Sequence, residues 1–186
     1  MQKIIFIVYI FFLLPYSTTM ANEEASYDVV HKTDIYEVRY YSDRLVAQVT
    51  NKGDNNSFRK LFNYISGENK NSEKIAMTIP VTQTKKDGEL FMQFYLPSKY
   101  NKETTPIPTN PDLEITTIPE GYFAVIKFSG RSSDKNFEKH NKILKQKLLD
   151  DKIPINGFAV RATYNSPFTL PPLRRNEAMF SIDWKS

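Results

Sequence analysis

The sequence predicts an α+β fold of eight mostly antiparallel strands and two helices. Three observations carry that reading. Most of the chain alternates apolar and polar residues with the two-residue period of a half-buried strand, while two windows instead repeat apolar residues at helical spacing. The order strand–strand–helix–strand–strand occurs twice, about 80 residues apart, a spacing too long for a solenoid of short units. Two such units, each with one helix on a face, pack most simply as one α+β domain, with a groove between the halves as the expected ligand site.

In the first half, residues 35–41 and 45–50 are rich in β-branched and aromatic side chains and are split by the turn-like Ser42-Asp43. A polar loop, 51–56, leads to Ser57, which is placed to cap a helix whose apolar positions Phe58, Leu61, Phe62 and Ile65 follow the i, i+3, i+4, i+7 rule. Gly67 is the expected stop. Residues 75–81 read as a strand with Met77, Ile79 and Val81 on one face, and Asp87-Gly88 marks a hairpin into residues 90–96.

In the second half, residues 113–117 and 122–128 form a strand pair around Pro119-Glu120-Gly121. Ser132-Ser133 precedes a helix with Phe137, His140, Leu144 and Leu148 on one stripe. Phe158, Val160, Ala162 and Tyr164 alternate on one strand, and Ala178, Phe180, Ile182 and Trp184 on another. The proline-rich link 106–111 joins the halves, which run over about 27–97 and 113–184.

Composition narrows the function classes. The 186 residues hold 25 Lys and Arg against 21 Asp and Glu, a surplus of four that forms no concentrated basic face, so nucleic acid is not an expected partner. Hydrophobic residues make up 40%, enough for a real core. Cysteine is absent, which excludes disulfides, thiolate metal sites and thiol catalysis together.

The first 21 residues read as a secretory signal peptide. Lys3 supplies the positive start, residues 4–14 are an unbroken apolar run, and Thr19-Met20-Ala21 is a small-x-small ending with cleavage expected after Ala21. A run of that length is too short to cross a hydrocarbon core of about 30 Å as a helix, so no stable span is expected after cleavage. The mature domain is expected to run over 22–186 and to be exported, either periplasmic or secreted.

Several blocks carry a family resemblance. They are Tyr36-Glu37-Val38-Arg39-Tyr40-Tyr41, Lys74-Ile75-Ala76-Met77-Thr78-Ile79-Pro80-Val81, Phe94-Tyr95-Leu96-Pro97, Ala162-Thr163-Tyr164-Asn165-Ser166-Pro167-Phe168 and Arg174-Arg175-Asn176-Glu177. Together, over about 27–182, they closely resemble the SOUL family of haem-binding proteins. The resemblance implies a distorted β-barrel with two flanking helices and a pseudo-twofold axis. It also implies capture of haem or another tetrapyrrole in a mostly apolar cleft.

Haem asks for an apolar slot, cations for two propionates and, optionally, an axial ligand. The apolar candidates are Phe58, Leu61, Phe62, Ile65, Met77 and Ile79, all of which also suit an ordinary core. The resemblance places the methionine of the Met-Thr-x-Pro-Val block, here Met77, beside the tetrapyrrole, where its thioether is a weak candidate ligand. Some family members carry a histidine in the first strand motif as a proposed iron ligand, and the matching position here is Tyr40, the second weak candidate. His31 and His140 match no family ligand position. Propionate partners come from Arg39, Lys60, Lys74, Arg174 or Arg175, with Arg174 and Arg175 favoured because arginine grips carboxylates bidentately. The other reading of that block is an i, i+3 pair between Arg174 and Glu177.

Enzyme signatures are missing: the sequence has no Gly-x-Ser-x-Gly elbow, His-Glu-x-x-His, P-loop or Gly-x-Gly-x-x-Gly. Glu37 and Glu177 suit proton transfer only if they are buried in a cleft. The alternative to a tetrapyrrole binder is an exported, non-catalytic interaction domain of the same fold.

Overall fold

The alternating and helical windows become strands and helices in the computed structural model, which describes residues 22–51 and 56–185. The leader expected over 1–21 lies outside the described residues. In chain order the elements are β1 (Glu23–Glu24), β2 (Asp28–Lys32), β3 (Glu37–Tyr41), β4 (Arg44–Asn51), α1 (Ser57–Ile65), β5 (Thr78–Ile79) and β6 (Val81–Lys86). They continue with β7 (Glu89–Tyr95), β8 (Leu113–Ile118), β9 (Gly121–Phe128), α2 (Asp134–Asp150), β10 (Val160–Thr163) and β11 (Asn176–Ile182). The fold is α+β, and both helices fall where the apolar spacing put them.

Nine strands, not eight, form one curled antiparallel sheet, a half-barrel in the order β2-β3-β9-β11-β10-β6-β7-β4-β8. The additional strand is β2, an edge strand exposed along its whole length, which presents no buried face to reveal it in the sequence. A separate two-stranded sheet pairs β1 with β5 in parallel. Within the large sheet, β6 of the first half meets β10 of the second, with Val81 opposite Thr163 and Gln83 opposite Arg161. The order is symmetric about that seam, and the first strand of each half is exchanged: β3 pairs with β9, and β8 with β4.

Alternation sorts the side chains onto two faces. On the outer face α1 packs over β4 and β7, burying Leu61, Tyr64 and Ile65 against Ala47, Val49, Met92 and Phe94. Next to it, α2 packs over β9 and β11, burying Phe137, Leu144 and Leu148 against Ala124, Ile126, Ala178 and Phe180. Each large aliphatic or aromatic side chain buried this way contributes about 1.5–3 kcal/mol of transfer free energy. The inner face holds Tyr41, Val125, Ala162, Tyr164 and Met179.

Local details follow the sequence with three corrections. The hairpin turn forms at Asp87-Gly88, both in the left-handed region at φ 52° and 86°, as a tight primed turn requires. Ser133 caps α2 by accepting from the Asn136 N–H. Ser57, in contrast, is the first residue of α1; Asn56 is the N-cap and makes no side-chain capping bond. The strand expected over 75–81 is shorter and broken, because Pro80 has no N–H to give the ladder and separates β5 from β6. Met77, Ile79 and Val81 therefore do not share a face: Met77 and Val81 pack beneath α1, while Ile79 packs into the inner cluster.

Candidate functional site

The β6–β10 seam is the floor of a groove between the two helices. On the α2 side, the Arg161 guanidinium sits 4.6 Å over the Phe137 ring and donates to Asp134 at 2.7 Å. A cavity of about 580 Å³ opens there, lined by Gln83, Lys85, Leu90, Phe137 and Arg161. On the α1 side, Phe58 and Phe62 stand out, each about half exposed, with rings nearly parallel at 11° and 6.2 Å apart. Phe58 also meets the buried Phe94 edge-on at 5.3 Å. Phe94 lies on β7, one strand from the seam, opposite Val81 of β6 and Ala47 of β4.

Helical geometry divides the four expected α1 positions. Leu61 and Ile65 face the sheet and belong to the core, whereas Phe58 and Phe62, one turn apart, form an apolar platform above it. Met77 is half-buried and packs against the core cluster that Leu61 and Ile65 join. Thr163 pairs with Val81, so the loop after β10 emerges at the Met77 end of the seam. That loop exposes Phe168, Leu170 and Leu173, with Phe168 95% open to solvent.

The cationic candidates have distinct fates. Arg174 binds its own loop, donating from Nε to the Thr169 carbonyl at 2.7 Å and from Nη2 to the Pro167 carbonyl. Arg175 is fully engaged: it grips Glu24 through both terminal nitrogens, donates from Nε to Glu177 and lies 3.7 Å over the Tyr164 ring. The partner of Glu177 on this block is thus Arg175, not Arg174. Lys60 pairs with Asp112 at 2.9 Å. Arg39 is fully buried on the inner face, bound to Glu37 and Glu177. Lys74 is exposed, three residues before Met77, and has no ion pair among the described residues.

The inner face is a closed ionic network. Glu177 is fully buried and accepts two bonds from Arg39, one from Arg175 and one from the Tyr164 hydroxyl at 2.7 Å, which uses its acceptor sites. Burial opposes the charge on Arg39, but the bonds and attraction of Glu177 outweigh it and raise the guanidinium pKa. Burial foremost, together with Glu177, pushes the Tyr164 hydroxyl far above its ordinary value. Burial also acts on Glu37, where donation from Arg39 and Lys127 prevails and holds its carboxyl below the usual range. Neither glutamate faces the groove, so neither is placed for proton transfer there.

Tyr40 lies elsewhere, half-buried on β3, with its ring tilted 54° against Tyr122 at 5.2 Å and its hydroxyl donating to Glu120 at 2.6 Å. That bond raises its pKa and disfavours the phenolate that iron would need. His140 is half-buried, bonds the Asn136 carbonyl through Nδ1 at 2.8 Å and stacks flat on Phe128 at 4.0 Å. His31 lies on the exposed edge strand, 5.1 Å from Trp184. Among the described residues no group of three His, Cys, Asp or Glu converges on a metal-sized site. No described helix is long and apolar enough to cross a membrane.

A family model described as SOUL heme-binding protein matches residues 22–181. The chain belongs to the SOUL family. Among curated relatives, Heme-binding protein 2 of Mus musculus is 28% identical over 177 residues, covering 88% of this chain and 85% of that one. Heme-binding protein 2 of Homo sapiens is 29% identical over 161 residues, covering 79% and 77%. The fold recurs in the C-terminal domain of EcmrR, at 11% identity and TM-score 0.60 over 80% of this chain and 96% of that one. It recurs again in a hydrolase from Listeria innocua, at 10% identity and TM-score 0.59 over 83% and 94%. At such identities these two likenesses establish the fold alone. The family expected from the Met77 and Arg174–Glu177 blocks is the family found. In this SOUL chain those blocks meet at one end of the seam, where Thr163 pairs with Val81 on one side and with Asn176 on the other.

Proposed function

We propose that this SOUL protein is a non-catalytic, exported tetrapyrrole carrier that lays the macrocycle on the Phe58–Phe62 platform at the α1 side of the groove. The observation that carries the reading is the exposed, nearly parallel pair itself. Two half-exposed phenylalanines one turn apart are costly in water and offer a flat apolar surface for a planar ligand. Family membership and the names of the curated relatives supply the ligand class, haem or a related tetrapyrrole. Met77 packs into the core cluster on which α1 rests. Lys74, and Arg174 through its remaining Nη1, are the cations open to propionates, with Lys74 replacing Arg175 in that role. No histidine is placed to ligate iron, so capture is mainly hydrophobic.

Titration with hemin and with its dimethyl ester tests this. Saturable binding of both, tighter for the free acid and equalised by Lys74→Ala with Arg174→Ala, supports the carrier. Absence of saturable binding favours the interaction domain of the same fold. Export rests on the leader in the sequence, and the intact mass of protein recovered outside the cytoplasm tests it. A mass beginning at Asn22 supports cleavage after Ala21, and one retaining Met1 contradicts it.

A further inference from the structure

Arg44 opens β4 on the inner face and is more than nine-tenths buried, yet no carboxylate pairs with it. Its guanidinium carbon lies 4.2 Å from the Tyr41 ring centroid, 4.8 Å from Phe123 and 5.9 Å from Tyr95. Three ring faces offset part of the cost of burying a charge. They leave Nε and Nη2, both closed to solvent, without a hydrogen-bond partner among the described residues. These two atoms form one edge of the guanidinium, and that edge is the one by which Arg39 holds Glu37 and Arg175 holds Glu177. The other two buried or half-buried arginines of the inner face put that edge on a carboxylate, and Arg44 alone has none there.

Arg44 lines a cavity of about 530 Å³, within the range of small-molecule sites. Its walls are partly apolar (Leu45, Leu96, Pro97) and partly hydroxylic (Thr78, Tyr95). The acidic residues on the rim are already engaged. Glu24 is held by Arg175, Glu23 accepts from the Ser98 N–H, and Asp43 accepts from the Glu120 N–H. None of Phe58, Phe62, Gln83 or Arg161 lines this cavity, so it is a site apart from the groove.

We infer that the Arg44 cavity binds an organic carboxylate with an apolar body, which draws the unpaired Nε and Nη2 edge of Arg44 into the cavity and is gripped there bidentately. The strap of residues 23–26, fixed by β1 to β5 and by Glu24 to Arg175, closes one side of it. Such a carboxylate comes from a free small acid or from a tetrapyrrole side chain, and the two sources share the same chemistry at Arg44.

The probe is 3-phenylpropionate, with neutral 3-phenylpropionamide as control, titrated into the protein while the Arg44 Nε–H resonance is followed by 1H–15N spectroscopy. The acid is expected to shift that resonance downfield in a saturable manner and the amide to leave it unmoved. Arg44→Met removes an uncompensated buried charge, so it is expected to melt no lower than wild type while losing about tenfold or more in affinity for the acid. Arg44→Lys, which keeps the charge and loses the fork, is expected to bind the acid weakly too. Hemin competing with the acid assigns the source to tetrapyrrole carboxylates, and simultaneous binding assigns it to a free acid. An unmoved Nε–H resonance overturns the proposal, as does equal affinity of wild type and Arg44→Met, whatever hemin does at the groove.

Discussion

Arg39 and Glu177, 138 residues apart in sequence, form a two-point ion pair at 3.0 and 3.1 Å with both side chains closed to solvent. β3 and β11 flank β9, so this pair ties the first strand of one half to the last strand of the other across the inner face. Arg175 and Tyr164 complete the carboxylate, and Glu37 completes Arg39. The network occupies the inside of the curl, on the face opposite the proposed Phe58–Phe62 platform.

Removing one partner from that pair leaves the other buried and under-satisfied. Arg39→Met is expected to cost about 3–5 kcal/mol of unfolding free energy, measured by urea denaturation. Arg39→Met combined with Glu177→Leu is expected to cost less than the two single changes added together, the signature of a coupled pair. Strict additivity would show that the two do not act as one unit.

The pH dependence has a definite sign. Glu37 has a folded pKa below its unfolded value, so its contribution is fully present above the ordinary glutamate range and is lost as pH falls through the lowered folded value. Stability is therefore expected to decline on acidification below about pH 4.3. Glu37→Gln, compared with wild type in urea melts across that window, should flatten the decline. An unchanged slope would remove Glu37 as a source of it.

Both helices, the Asp87-Gly88 hairpin and the α+β class were legible because each leaves a local mark: a period of 3.6, a period of two, or a residue pair suited to positive φ. What the sequence could not show was set by distant partners. β2 has no buried face to betray it, and the β1–β5 pairing depends on a segment 55 residues away in register, Glu23 against Thr78. The platform was half legible. Spacing grouped Phe58, Leu61, Phe62 and Ile65, but only the position of β7 under α1 decides that two of the four are core and two are surface. Arg175 looked available because Glu24, its partner, is 151 residues away in sequence. Nothing local marks Arg44, an arginine that tertiary packing buries without a counterion.

The most direct test of the account compares hemin binding by wild type, Phe58→Ser with Phe62→Ser, and Leu61→Ala, alongside urea denaturation of each. The platform change removes two half-exposed side chains, so stability should fall little while hemin affinity falls by about tenfold or more. Leu61→Ala empties a fully buried position and should lose about 2–5 kcal/mol of stability, with hemin affinity retained in whatever fraction stays folded. Hemin binding that survives the loss of both phenylalanines unchanged would contradict the placement of the tetrapyrrole on α1.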